Sequence, residues 1–557
     1  MGGPTVGPMT PSPVEHPQTP PADTTSAGQI DQIAQEILDT GVRWWVVVDD
    51  YDGRAVRFAA EMEKLGPDDA ARLLQVLLEK DGGALASWMT LPIMSRLHDS
   101  GLISGEQFAA ISNAFASAYN EGKFSDAQMR QFLQVFSLQN VSPGNAADQF
   151  GQLRTFLQAG GNSPAMQTFR ENFAASLLKD AIGENWAGNQ PGLALQICAD
   201  SGDPDMAARV FATVVEGAAS DPVARAAIMD KLLHAVGEAS IGYENSRPMG
   251  ATNPLETLIN SVARQSATYQ WNEISVAIAR YAGSANDTND VFYDPYSHKP
   301  VEGISQALTN LIAGPQGNAV FTELSRWETN PIGGKSGHAQ QYGLNAIQLG
   351  GLLRLTAFNP DNPQADQALD AVQQWAQMRK DFLNGVQRDD YPPGMDVSQA
   401  RQDLAMLGGA AIDAVSQMKI DQDNRAAATK QLVSFVVDLA LSAVPGGGTI
   451  SSLVSKDLKA AFGDNARING LIDQALKSGD KLTSAQIQQL KDGIADVVDG
   501  EAGDLDTLKA TVGSFVQAAV LTGLPRGTQD DPGNDSYTDV LQGTQVVQTE
   551  VDDVRGD

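Results

Sequence analysis

The sequence predicts an all-α protein made of several multi-helix bundles. Helix-start signals recur along the 557 residues, and the apolar residues behind them follow the 3.6-residue spacing of helices with one buried face. Strand-like runs are scarce. A short stretch of stacked helical repeats near residues 150–280 is the alternative to an irregular bundle there, because helix plus turn takes about 15–20 residues.

Proline and aspartate mark several helix starts. Gly66–Asp69 precedes a run in which the apolar residues recur at helical spacing, so we predict a helix with one buried face. The pairs Asp203–Pro204 and Asp221–Pro222 each open an apolar run, with Asp as the expected N-cap and Pro in the first turn. The predicted buried residues of the first helix are Ala71, Leu73, Leu74, Leu77 and Leu78.

Three further helix starts carry a reciprocal cap. In a capping box, a Ser or Thr hydroxyl accepts a bond from the amide three residues later, and the Gln there reaches back to the cap amide. The sequence predicts such boxes in the pairs Ser104 and Gln107, Ser125 and Gln128, and Thr483 and Gln486.

The best strand-like run is Trp44–Val48, which is followed by a polar turn. A single run does not make a sheet, and the same residues fit a continuation of a helix that starts near Gln29. The expected fold class is therefore all-α throughout.

Composition divides the chain into five parts. Both ends are rich in residues that cannot bury enough apolar surface to fold, so we expect them to be disordered. Polar interruptions rich in Gly, Asn and Pro separate the helical parts. The expected parts are a Pro/Thr-rich leader (1–28), an N-terminal helical region (29–245), a central helical region with long polar loops (246–390), a C-terminal helical domain (391–525) and an acidic tail (526–557).

Charge and cysteine content exclude several classes of function. The chain has 38 basic and 68 acidic residues, a net charge of −30, which argues against nucleic acid as a partner. The lone Cys198 lies in an apolar run and is expected in the core. No spacing of Cys or His predicts a metal site, and we expect no cofactor.

The polar loop at 283–300 is the best candidate for contacting a ligand. It gathers carboxylates, one imidazole and three aromatic side chains, although the spacing does not match a calcium-binding EF-hand. A second loop, 330–340, contains Gly334–Lys335–Ser336 but lacks the first glycine and the preceding strand of a phosphate-binding loop. The candidate ligand-contacting residues are Asp287, Asp290, Tyr293, Asp294 and His298.

The apolar run 432–444 ends at Pro445 and three glycines. A buried helix explains it, and a helical hairpin that enters a bilayer is the functional alternative. A helix of this length spans about 20 Å, which is short of a bilayer core of about 30 Å. The candidate membrane-contacting residues are Leu432, Phe435, Val436, Val437, Leu439 and Leu441.

Three features together resemble the non-catalytic helical regions of bacterial secreted effectors and polymorphic toxins. They are the Pro/Thr-rich leader, the acidic helical body rich in Ala and Gln, and the segment VVDLALSAVPGGGTISSLVSKDLKAAFG. In such toxins a similar segment precedes a terminal toxin module. The resemblance covers at most the leader and residues 340–525, and only about thirty residues of polar tail follow residue 525, so it gives no catalytic residues to this chain.

The resemblance implies an effector that is made in the bacterial cytoplasm and exported without a Sec signal. It would act through protein partners or by perturbing a membrane. The first alternative is a cytoplasmic scaffold that binds protein partners. The second is an enzyme whose site is assembled around the 283–300 and 330–340 loops; we expect no catalysis, and no catalytic residue is predicted.

Overall fold

The computed structural model of the chain is all-α, as predicted, and the described residues form 23 α-helices and no β-strand. An antiparallel bridge joins Tyr293 to Pro300. The structure describes residues 25–40, 51–80, 85–133, 143–183, 190–246, 252–285, 290–294, 296–315, 317–322, 344–387, 389, 391, 395–418, 420, 424–441, 459, 465–476, 483–501, 503–525 and 536–555.

The chain divides into two compact units. The first unit contains residues 1–136 and 148–169, and the second contains residues 137–147 and 170–557. The first eight helices are α1 (Ala27–Asp39), α2 (Tyr51–Lys64), α3 (Pro67–Lys80), α4 (Leu91–Asp99), α5 (Gly105–Asn120), α6 (Asp126–Leu133), α7 (Pro143–Ala159) and α8 (Pro164–Asp180).

Aromatic side chains fill the core of the first unit. Phe115 stacks on Phe132, with ring centroids 3.9 Å apart, and Phe132 meets Phe156 edge to face at 5.2 Å. The predicted buried face of α3 is confirmed, because Leu73, Leu74 and their apolar neighbours on that face are buried. Apolar burial of this kind supplies most of the stability of a short helix.

All three predicted capping boxes are confirmed by reciprocal hydrogen bonds. Ser104 Oγ accepts from the Gln107 amide at 3.1 Å, and Gln107 Oε1 accepts from the Ser104 amide at 2.9 Å. The boxes at Ser125 and Thr483 have the same pair of bonds. A fourth box joins Ser26 to Gln29, so α1 begins at Ala27, inside the segment predicted as a disordered leader.

The two Asp-Pro helix starts differ from each other. Asp221 Oδ2 accepts from the Ala224 amide at 3.0 Å, and the helix that follows begins at Pro222 as predicted. Asp203 instead accepts from the Asp205 amide at 2.9 Å, so that helix begins later, at Met206. A side-chain bond two residues ahead forms an Asx turn, which delays the helix.

The second unit contains the remaining helices. They are α9 (Gln190–Ala199), α10 (Met206–Ala218), α11 (Pro222–Ser246), α12 (Pro254–Ala263), α13 (Tyr269–Gly283), α14 (Glu302–Ala313), α15 (Gly317–Thr322), α16 (Ala346–Leu355), α17 (Ala365–Leu383), α18 (Val397–Ser416), α19 (Arg425–Leu441), α20 (Ala466–Leu476), α21 (Ser484–Glu501), α22 (Leu505–Leu521) and α23 (Ser536–Arg555). The long α18 is packed on several sides by α16, α17, α22 and α23.

The prediction of a disordered tail is wrong for residues 536–555, which form α23. This helix packs closely on α18, where Gly409 leaves room for the side chain of Val547. Val540, Val547 and Val551 are buried at helical spacing, and Arg555 pairs with the buried Asp413 at 3.1 Å. The prediction failed because this helix buries only a few apolar residues, and the composition of the whole tail is polar.

The predicted boundaries at 245 and 390 both lie within the second unit. The helix α11 contacts α12 on the far side of the first boundary, and α17 contacts α18 across the second. The division into three helical regions stays a prediction from composition. The strand-like run 44–48, most of the leader (1–24) and the polar stretch 526–535 lie outside the described residues.

Candidate functional site

The second unit contains a cavity of about 590 Å³, which we name the Arg354 cavity after one of its lining residues. Four short segments of the chain form it, including part of the loop predicted to contact a ligand. It is lined by Tyr293, Ser297, His298, Lys299, Pro300, Arg354, Phe358, Asn359, Pro360, Asp361, Ser416, Gln417, Met418, Ile420, Asn424, Leu505 and Lys509.

The loop 290–300 is shaped by the side chain of Asp294. Its Oδ1 accepts from the amides of Tyr296 at 2.9 Å and Ser297 at 2.7 Å, which turns the chain sharply. The Asp294 amide donates to the Lys299 carbonyl at 2.8 Å, and His298 takes a left-handed backbone conformation with φ of 55°. The turn holds His298 and Lys299 at the cavity wall.

The structure brings together only part of the predicted ligand-contacting set. Tyr293 and His298 line the Arg354 cavity. Asp290 and Asp294 are absent from its lining, and Asp294 serves the turn instead. Asp287 lies outside the described residues, as do the 330–340 loop and its His338.

The second wall of the cavity, 354–361, depends on buried asparagines that sequence analysis missed. Asn359 Nδ2 donates to Ser305 Oγ at 3.2 Å, and Asn362 Nδ2 donates to Thr309 Oγ1 at 3.0 Å. Each Asn also accepts from the amide two residues ahead. The stretch between α16 and α17 is thereby tied to α14, which fixes the wall.

The other two walls are the end of α18 and the start of α22. At the end of α18, Met418 and Ile420 are buried and add apolar surface to that of Phe358. At the start of α22, Asp504 caps the helix by accepting from the Thr507 amide at 2.7 Å. This cap orients the first turns, which carry Lys509 to the cavity.

Among the described lining residues of the cavity, basic side chains outnumber acidic ones, whereas the chain as a whole is acidic. Lys299, Arg354 and Lys509 line it, whereas Asp361 is the one carboxylate among its described lining residues. Lys299 Nζ lies 3.3 Å from Asp361 Oδ2, so these two charges offset each other. Burial lowers the pKa of Lys509, because removing water disfavours its charged form, and the smaller effect of Asp506 raises it.

The candidate membrane-contacting residues lie on α19. Leu432, Phe435, Val436, Val437 and Leu439 are buried in the helical bundle, whereas Leu441 at the helix end is half-buried. Asp438 on the same helix pairs with Lys491 of α21. These five apolar side chains would have to leave the core before they could meet a bilayer.

No helix in the described segments is both long enough and apolar enough to cross a membrane. No group of three or more His, Cys, Asp or Glu side chains in the same segments is placed to hold a metal ion. Cys198 is buried as predicted, and burial raises the pKa of its thiol.

Comparison with known proteins gives no family for this chain. Its sequence matches no protein-family model, and a search of curated proteins finds no similar sequence.

Proposed function

We propose that the second unit reversibly binds a small molecule in the Arg354 cavity. The observation that carries this proposal is a cavity of about 590 Å³ whose described wall combines eleven polar residues with six apolar ones. Ligand sites of proteins have volumes of about 300–1,000 Å³ and this mixed character. The loop 283–300, chosen from the sequence for its candidate ligand-contacting residues, contributes Tyr293 and His298 to the wall.

The cavity is preformed, which favours binding. The hydrogen bonds of Asn359 and Asn362 fix the wall formed by residues 354–361. Those of Asp294 fix the loop 290–300, which forms another wall. A site that is already ordered loses less conformational entropy when a ligand enters. Binding alone requires no more than this cavity and its polar groups, so we propose binding rather than catalysis.

The other predicted functions stay predictions. Export as an effector depends on the leader, of which residues 1–24 lie outside the described part. Membrane contact through 432–441 requires the buried side chains of α19 to leave the core of the helical bundle. Protein partners and a scaffold role are compatible with a ligand-binding unit but draw no support from a specific contact.

A fragment screen by thermal shift tests the proposal. Ser416 is exposed at the cavity wall, so Ser416→Trp would fill the cavity without disturbing the core. Ser514→Trp, at an exposed position of α22 away from the cavity, is the matched control. We expect some neutral or charged fragments to raise the melting temperature of the unaltered chain and of Ser514→Trp, but not of Ser416→Trp.

The proposal fails if no fragment stabilises the unaltered chain. It also fails if every stabilising fragment acts equally on Ser416→Trp, since the fragments would then bind elsewhere.

A further inference from the structure

We propose that the ligand of the Arg354 cavity is an anion with an apolar body, held by Arg354 and Lys509. This inference rests on the proposed function and names the class of molecule that the site would take. It is carried by the charges of the wall, the hydrogen-bonding state of Arg354, and the apolar surface beside the two cations.

The local charge of the described cavity wall favours an anion. The chain carries 68 acidic and 38 basic residues, so an average surface of this protein is acidic. The described wall of the Arg354 cavity instead has three basic side chains and one carboxylate, Asp361. Because Lys299 lies 3.3 Å from Asp361, the basic side chains of the described wall that remain are Arg354 and Lys509.

Arg354 has hydrogen-bonding capacity to spare. One of its terminal nitrogens donates to the Ala285 carbonyl at 3.1 Å, and the guanidinium lies over the ring of Tyr293, 5.6 Å from the centroid. Its Nε is buried, so a ligand in the cavity would meet only the N–H groups of the terminal nitrogens. A guanidinium has five N–H donors in a planar fork that suits carboxylate, phosphate and sulfonate oxygens.

Lys509 is the second cation of the described wall. Its side chain is half-buried, and the carboxylate of Asp506 acts on it more weakly than burial does. Holding an ammonium partly away from water with only weak compensation by a counter-charge costs free energy. An anion in the cavity would offset that cost.

Apolar side chains next to these cations define the rest of the ligand. The half-buried Pro300, Pro360 and Leu505 line the cavity, together with the more deeply buried Phe358, Met418 and Ile420. A small inorganic anion would use the two cations but leave this surface uncovered. An aromatic or alkyl body that carries one anionic group would use both, so it should bind more tightly.

Four probes separate the two parts of this ligand. We would titrate 1-naphthyl phosphate, neutral 1-naphthol, cationic 1-naphthylmethylammonium and inorganic phosphate into the full chain, following binding by calorimetry. We expect 1-naphthyl phosphate to bind about tenfold or more tightly than each of the others, the size of one charge-assisted hydrogen bond. Naphthyl carboxylate would show whether a carboxylate serves as well as a phosphate.

Variants of Lys509 assign the effect to the cavity. Lys509→Gln should weaken 1-naphthyl phosphate about tenfold and leave 1-naphthol unchanged, whereas Lys509→Arg should keep the preference. Lys231→Gln removes the same charge from an exposed position on α11 and should change nothing. Arg354→Gln should act like Lys509→Gln; its helical content by circular dichroism shows whether the chain stays folded.

The outcomes separate this inference from the proposed function. If all naphthyl probes bind equally and Ser416→Trp abolishes binding, the cavity binds ligands but the anion inference is overturned. If inorganic phosphate binds as well as 1-naphthyl phosphate, the apolar part of the inference is overturned. If no probe or fragment binds, both proposals fail.

Discussion

Asn362 Nδ2 donates a hydrogen bond of 3.0 Å to Thr309 Oγ1, and both side chains are buried. The same Nδ2 donates to the Thr356 carbonyl at 3.0 Å, and Asn362 Oδ1 accepts from the Gln364 amide at 3.0 Å. One side chain thus joins α14 to the connection between α16 and α17. That connection is a wall of the Arg354 cavity, so the shape of the site depends on this residue.

Asn362→Ala should lower the free energy of unfolding by about 1–3 kcal/mol, because Thr309 and Thr356 would lose a buried hydrogen-bond donor. The measurement is urea unfolding followed by circular dichroism. Gln306→Ala on α14 removes an exposed bond to Glu302 and should change stability by less than about 0.5 kcal/mol. Equal effects of the two variants would show that the buried Asn adds nothing special.

Gly351→Ala should destabilise the second unit by about 1–3 kcal/mol or more. A methyl group at Gly351 would lie 2.2 Å from the Gly283 carbonyl oxygen, so α13 and α16 would have to move apart. Gly470→Ala, in α20, meets nothing within 4 Å and should stabilise the helix by about 0.5–1 kcal/mol. Opposite signs in thermal unfolding are expected, and a stabilising Gly351→Ala would contradict the close helix contact.

The buried ion pair between α17 and α18 should be costly to break. Arg379 Nε lies 2.9 Å from Asp403 Oδ2, both side chains are almost fully buried, and the guanidinium lies 4.3 Å from the Trp375 ring centroid. Arg379→Met or Asp403→Leu alone should lower stability by about 3–5 kcal/mol, because each leaves one charge unpaired. The double variant should be more stable than either single variant in urea unfolding; an additive double variant would argue against the coupling.

Titration of the buried Asp403 should contribute to the pH dependence of stability. Burial raises its pKa from 3.8 to about 6, and Arg379 offsets only part of that effect. Between these values the folded state holds the proton more tightly than the unfolded state, so the contribution of Asp403 to stability falls as pH rises from about 4 to about 6.

Unfolding of the unaltered chain and of Asp403→Asn across that range isolates this group. The stability difference, unaltered minus variant, should shrink from pH 4 to pH 6 and stay constant above. A difference that grows with pH in this window would mean that the pair, rather than burial, controls the pKa of Asp403.

Ser104→Ala should lower the free energy of unfolding by about 1 kcal/mol, because the Gln107 amide at the start of α5 loses its acceptor. Ser104→Gly should cost only a few tenths of a kcal/mol, since glycine suits the cap backbone. The two variants are compared by urea unfolding. A Ser104→Ala variant as stable as the unaltered chain would show that the reciprocal bonds do not stabilise α5.

Local features were predictable from the sequence because they depend on residues close in the chain. The capping boxes at Ser104, Ser125 and Thr483 and the cap at Asp504 need only a side chain and an amide three residues away. The all-α class follows from the same signals. In the loop 290–300, aromatic and charged residues gathered at one place pointed to Tyr293 and His298.

Features that depend on distant residues were not predictable. Nothing beside Arg354 or Lys509 in the sequence shows that they share a cavity, because 155 positions separate them and the helices between them decide their meeting. The sequence around Asn359 and Asn362 is typical of turns, in which an Asn side chain accepts from the amide two residues ahead. It gives no sign of the bonds from these side chains to Ser305 and Thr309. The buried face of α23 was not predictable either, because it packs on Gly408 and Gly409 of α18, more than 130 residues earlier in the chain.

Ligand binding in the Arg354 cavity can be seen directly in a crystal structure of the full chain with 1-naphthyl phosphate. We expect one molecule in the Arg354 cavity, with phosphate oxygens within hydrogen-bond distance of the Arg354 guanidinium and Lys509 Nζ, and the rings against Phe358. An empty cavity at saturating ligand, or a molecule bound elsewhere with this cavity unoccupied, would contradict it.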